Sequence, residues 1–128
     1  MPKKKSETEI LAGYVAEGLA DKKGQNIVFL DLRELEQAVT DFFVIGHGTS
    51  RPQVEALADS VRQKVGKTLG IKPWHQEGFE NAEWILLDYV DVVVHIFRQE
   101  TREFYQLEKL WADAKITHYR HKEQPVRK

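Results

Sequence analysis

Two clusters in this 128-residue chain combine residue types that could support chemistry. The first is Gly46-His47-Gly48-Thr49-Ser50, set between an apolar run and a segment with helix-starting character. Backbone N–H groups at such a junction can hold a phosphate. The loop lacks the Gly-Lys-Ser/Thr ending of a Walker loop, and the same glycines can simply form a tight turn before Ser50 caps a helix. The second cluster is Asp88 and Asp91, which with Asp41 could ligate a divalent cation. Two aspartates flanking a turn can equally end their strands in water. Joined together, the Gly46–Ser50 loop and the Asp88/Asp91 pair define one functional alternative, a metal-dependent nucleotidyltransferase. The five histidines show no metal-ligand spacing, and with no cysteine a thiolate zinc site and thiol catalysis are excluded.

A third cluster suits binding better than catalysis. Residues Trp84 to Phe97 (WILLDYVDVVVHIF) read as two strands meeting at a turn on Tyr89 and Val90. A two-residue loop pairs Trp84 with His95, Leu86 with Val93 and Asp88 with Asp91, and places Ile85, Leu87, Val92, Val94 and Ile96 on the other side. The second set is wholly aliphatic and belongs against helices. The first mixes apolar bulk with polar edges, the composition of a surface that meets another protein. Trp84 can serve there as an interface anchor or as ordinary core.

The elements that must position these residues follow from periodicity. Ser6 and Glu9 form a capping box before Ile10, Leu11, Tyr14, Val15 and Leu19, with Gly24 as the stop. Two β-rich runs, 26–31 and 41–46, are separated by too few residues for a long crossover helix. Ser50 with Gln53, and Pro52 in the first turn, open a second helix along Val54, Leu57, Val61, Val65 and Leu69, ended by Gly70. An edge strand and a turn with Gly78 and Asn81 precede the hairpin. A last helix opens at Thr101, with Phe104, Leu107, Leu110 and Ala114 facing inward. From Lys115 the periodicity ends, which predicts a basic, flexible tail over 115–128 after a single domain over 1–114. The fold class is α/β, a mixed sheet of about five strands packed with helices.

Composition permits a proper core: 41% of the residues are hydrophobic, and a chain of this size buries roughly two thirds of its unfolded surface. The apolar runs fall short of the roughly 20 residues of a membrane-spanning helix. The absence of cysteine fits a reducing compartment, and without an evident transit peptide the expectation is a bacterial cytoplasm. Net charge is −1, so no global field draws the chain to nucleic acid.

Over about a hundred residues the chain resembles the ribosomal silencing factor, or Iojap-like, family. The resemblance is carried by KGQNIVFLDLRE, TDFFVIGHGTSRPQVEALAD, QEG and EWILLDYVDVVVHIFRQETREFYQLEKLWADA. It implies a nucleotidyltransferase-like fold without catalysis or cofactor, a homodimer, and binding to the large ribosomal subunit through its ribosomal protein fourteen. That binding obstructs joining of the small subunit and represses translation under nutrient limitation. The family's partner-contacting strand falls on Trp84, Leu86, Asp88 and Tyr89, to which the face analysis adds Asp91, Val93 and His95. Val90 stands where the family usually has glycine. The basic tail offers a possible weak contact to ribosomal RNA.

Overall fold

A computed structural model describes residues 6–120. The elements are α1 (Glu7–Asp21), β1 (Gln25–Asp31), β2 (Phe42–Gly48), α2 (Arg51–Leu69), β3 (His75–Glu77), β4 (Trp84–Asp88), β5 (Val92–Arg98), α3 (Gln99–Tyr105), α4 (Leu107–Leu110) and β6 (Lys115–His118). The Ser6 hydroxyl accepts the Glu9 N–H at 3.1 Å while the Glu9 carboxylate accepts the Ser6 N–H at 3.0 Å, so α1 starts with both halves of its capping box. Ser50 caps α2 by accepting the Gln53 N–H at 3.2 Å, and Gly70 closes it in the left-handed region at φ 71°.

The strands form one mixed sheet in the order β3-β4-β5-β2-β1-β6, in which β2 and β5 run parallel and every other pair is antiparallel. The parallel pair needs a long crossover, which α2 and the β3–β4 hairpin supply. Helices α1 and α2 cover one face, packing Val15, Leu19, Leu57 and Val61 against Val44, Ile85, Leu87, Val94 and Ile96. They approach backbone to backbone, since a Cβ on Gly18 would lie 2.9 Å from Val61 Cα. On the opposite face Val28, Leu30, Ile45 and Phe97 are buried beneath Leu32, Leu107 and Ala114, with Phe43, Trp84 and Trp111 only partly covered.

Three expectations need correction. The sheet has six strands, because Lys115–His118, assigned by its charge to a loose tail, pairs with β1 as an edge strand. Four alternating residues are enough to lend backbone hydrogen bonds to an open edge, whatever their charge. The rest of the predicted tail, 121–128, lies outside the described residues.

The hairpin register is displaced by two residues. Trp84 pairs with Phe97, Leu86 with His95 and Asp88 with Val93. The Asp91 N–H donates to the Tyr89 carbonyl at 2.9 Å with Val90 at φ 76°, a γ-turn nested inside the Tyr89 N–H to Val92 carbonyl bond of 2.8 Å. Because the displacement is even, each strand residue keeps its predicted face.

The last helix breaks at Gln106, which sits at φ 49°. That interruption resets the helical phase, so Arg102 and Leu107 turn inward, while Phe104 and Leu110 stand 79% and 74% exposed. The predicted inward stripe keeps only Leu107 and Ala114.

Candidate partner-binding surface

The enzymatic arrangement does not assemble. Gly46, His47 and Gly48 are strand residues paired with Ile96, Phe97 and Arg98, and the Thr49 N–H is taken by the Gln53 side chain at 2.8 Å. The loop's backbone is thus committed to pairing and capping. Asp91 lies at the other end of β2, where its carbonyl accepts the Asp41 and Phe42 N–H groups. The six-residue rise from Phe42 to Gly48 separates the two clusters by about 20 Å. Asp88 spends one carboxylate oxygen on the Val90 N–H at 2.7 Å, tying down the turn. Among the described residues no group of three or more His, Asp or Glu side chains is placed to hold a metal ion.

The seven residues predicted for partner contact divide. Trp84, Leu86, Asp88 and Val93 share the sheet face that α1 and α2 leave open, and all four are half-buried. Tyr89 does not join them. It is 6% exposed and packs in the core under α1 and α2, because the alternation that buries Ile85 and Leu87 continues to it. Burial lifts its hydroxyl pKa to about 12. Asp91 is exposed but lines a cavity with Ile10, Leu11 and Tyr89 on that same helical side.

His95 is on the open face but 5% exposed, so it acts from beneath. The Trp84 indole N–H donates to His95 Nδ1 at 3.1 Å, which requires a neutral imidazole with its proton on Nε2. Burial favours the neutral form, pulling the His95 pKa down to about 4. Phe43 meets the imidazole edge-on at 4.5 Å, and Trp84 also packs on Phe97 at 4.7 Å and Tyr105 at 5.0 Å between ring centroids. The indole is held from several sides while part of it reaches solvent, the preparation expected of a binding anchor.

Sequence reasoning missed two neighbours of this surface. Phe104 and Tyr105, the latter 49% exposed, extend the aromatic row beyond Trp84. Arg102, which the sequence reading did not single out, is 6% exposed and pins α3 to the sheet. Its guanidinium donates to the Asn26 carbonyl at 2.8 Å, His47 Nδ1 at 2.9 Å and the Glu108 carboxylate at 2.6 Å. Burial and the adjacent guanidinium both lower the His47 pKa. The only signal for this network was an arginine five residues before an inward leucine, a spacing that requires a break in the helix.

Comparison with known proteins identifies the lineage. The family model for ribosomal silencing factor during starvation matches residues 4–128. The chain belongs to the ribosomal silencing factor family. Among proteins similar to it are the ribosomal silencing factor of Halalkalibacterium halodurans, 45% identical over 94 residues covering 73% of this chain and 79% of that one, and that of Bacillus subtilis, 42% identical over 96 residues covering 75% and 80%. A crystal structure of a Chromobacterium violaceum protein superposes with a TM-score of 0.78 at 34% identity, covering 94% of this chain and 98% of the other. In this silencing-factor fold, the mixed α/β architecture is therefore shared with experimentally solved relatives.

Proposed function

We propose that this chain silences ribosomes by binding the large subunit through ribosomal protein fourteen and sterically blocking the small subunit, so that translation falls when nutrients are short. The carrying observation is that, in a member of the ribosomal silencing factor family, Trp84, buried only in part, sits on a sheet face its own long helices do not cover. The docking set is Trp84, Leu86, Asp88 and Val93, with His95 fixing the indole from below and Phe104 and Tyr105 alongside. Tyr89 and Asp91 leave the contact set because they belong to the opposite side of the sheet. No bond is made or broken. A standard interface of roughly 800 Å² per partner supplies enough affinity, and the bulk of the domain does the rest.

Exposed apolar surface of this kind also favours self-association, and we propose a homodimer for the free chain in the cytoplasm. Light scattering checks that state directly. For the ribosome, purified large subunits are incubated with the full chain and sedimented. Trp84→Glu is expected to abolish capture, and Leu86→Glu, at an outward position outside the indole's hydrogen bond, to weaken it strongly. Thermal midpoints of both variants separate lost binding from lost folding. If subunits still join on a sucrose gradient with the chain fully bound, steric blocking is wrong.

A further inference from the structure

Between β4 and α3 lies a cavity of about 350 Å³ lined by Glu83, Trp84, Glu100, Thr101, Phe104 and Tyr105. Its walls are aromatic: Tyr105 packs on Trp84 at 5.0 Å, and Phe104 meets Tyr105 edge-on, also at 5.0 Å. Aromatic faces attract cations through their quadrupole. Among the described residues the internal cation–π contacts are Arg33 over Phe42 and Arg62 over Phe79, so no internal cation is recorded on these three rings.

Both carboxylates at the cavity are paired, Glu83 several times over. Glu83 accepts from the Thr101 hydroxyl at 2.7 Å, Arg98 Nε at 3.1 Å and Arg51 Nη2 at 2.5 Å, and Glu100 pairs with Arg98 at 3.3 Å. Arg51 and Arg98 offset these two acids, and Glu100, whose side chain is 70% exposed, is the carboxylate at the cavity open to a further cation. An exposed carboxylate beside aromatic faces favours a positively charged group between them.

We infer that this cavity receives a basic side chain, lysine or arginine, from the docked partner. The inference rests on the docking reading and names the chemistry of one anchor within it. The side chain's aliphatic stem lies along Trp84 and its cationic head meets the faces of Phe104 and Tyr105, with Glu100 at the mouth. Phe104 carries the test because it is exposed and serves no core.

The measurement is affinity of the full chain for purified large subunits, with Phe104 replaced by phenylalanines bearing one, two and three fluorines. Each fluorine weakens the ring quadrupole at nearly constant area, so affinity is expected to fall stepwise, about threefold to tenfold in all. Phe104→Leu, which keeps apolar area without a quadrupole, is expected to lose a similar factor at an unchanged thermal midpoint. A flat fluorine series, or wild-type affinity in Phe104→Leu, overturns the basic anchor. Trp84→Glu is measured beside them: if it loses capture while the fluorine series stays flat, only this inference fails. If Trp84→Glu binds like the parent, the docking reading fails and takes the anchor with it.

Discussion

The two faces of the sheet are built from similar amounts of apolar sequence and end in different states. One is sealed by α1 and α2, with Val15, Leu57, Val61, Ile85 and Val94 fully out of solvent. The other is roofed by two short helical segments and a loop that leave Trp84, Leu86 and Val93 half-covered. Helices of 15 and 19 residues can each present a continuous stripe, whereas helices of 7 and 4 residues separated by a left-handed Gln106 cannot. Incomplete cover is thus a consequence of the break in the last helix, and it leaves an aromatic row available to a partner.

The sharpest way to break this comparison is to truncate one residue on each face. Leu57→Ala, on the sealed face, is expected to cost about 3 kcal/mol of stability by denaturant unfolding, with affinity per folded molecule unchanged. Trp84→Ala, on the open face, is expected to cost about 2 kcal/mol or more of binding free energy to the large subunit, and less stability than Leu57→Ala. If both variants lose stability alike and binding not at all, the faces do not differ in role.

Arg102→Met tests what holds the partial roof. Removing a buried guanidinium strands the Glu108 carboxylate, His47 Nδ1 and the Asn26 carbonyl, with an expected loss of about 3 kcal/mol. Amide exchange in α3 and α4 should accelerate before exchange in α1 and α2.

Acid should reach the open face through His95. Its folded pKa of about 4 lies below the ordinary 6.5, so the unfolded chain binds the extra proton first. Stability is complete above pH 6.5 and declines as pH falls toward 4, by on the order of 3 kcal/mol from this residue. Protonation also removes the acceptor of the Trp84 indole, so tryptophan fluorescence should change over the same window. His95→Gln is expected to flatten the decline, and an unaltered pH profile in that variant would show that another group is responsible.

The smallest effect belongs to the turn between the faces. Val90 is a β-branched residue at φ 76°, and Val90→Gly is expected to raise stability by about 1 kcal/mol, as relief of the strained backbone outweighs glycine's extra unfolded-state entropy. An unchanged or lower midpoint would show that the γ-turn carries no strain.

Much of this arrangement was legible residue by residue. Ser6/Glu9 and Ser50/Gln53 announced both long helices because capping is local chemistry within four residues. The alternation from Trp84 to Phe97 separated the helix-facing side from the open side, and the separation survived a register error because two residues restore the same face. Tyr89 entered the contact set through the family resemblance, although the alternation of Ile85 and Leu87 already points it to the helical side. Phe104 and Leu110 were misplaced because their spacing assumes an unbroken helix, and Gln106 carries no mark of a left-handed residue.

What the sequence determined by itself was therefore everything set by short-range periodicity and capping: the two long helices, the hairpin and its two chemical faces, and the family to which the chain belongs. Tertiary structure alone decided which apolar residues stay in water. Exposure depends on how far a roof of helices extends over a sheet, and here that reach is fixed by a buried arginine, a single left-handed residue and an added edge strand, contacts spanning dozens of positions that no local pattern encodes.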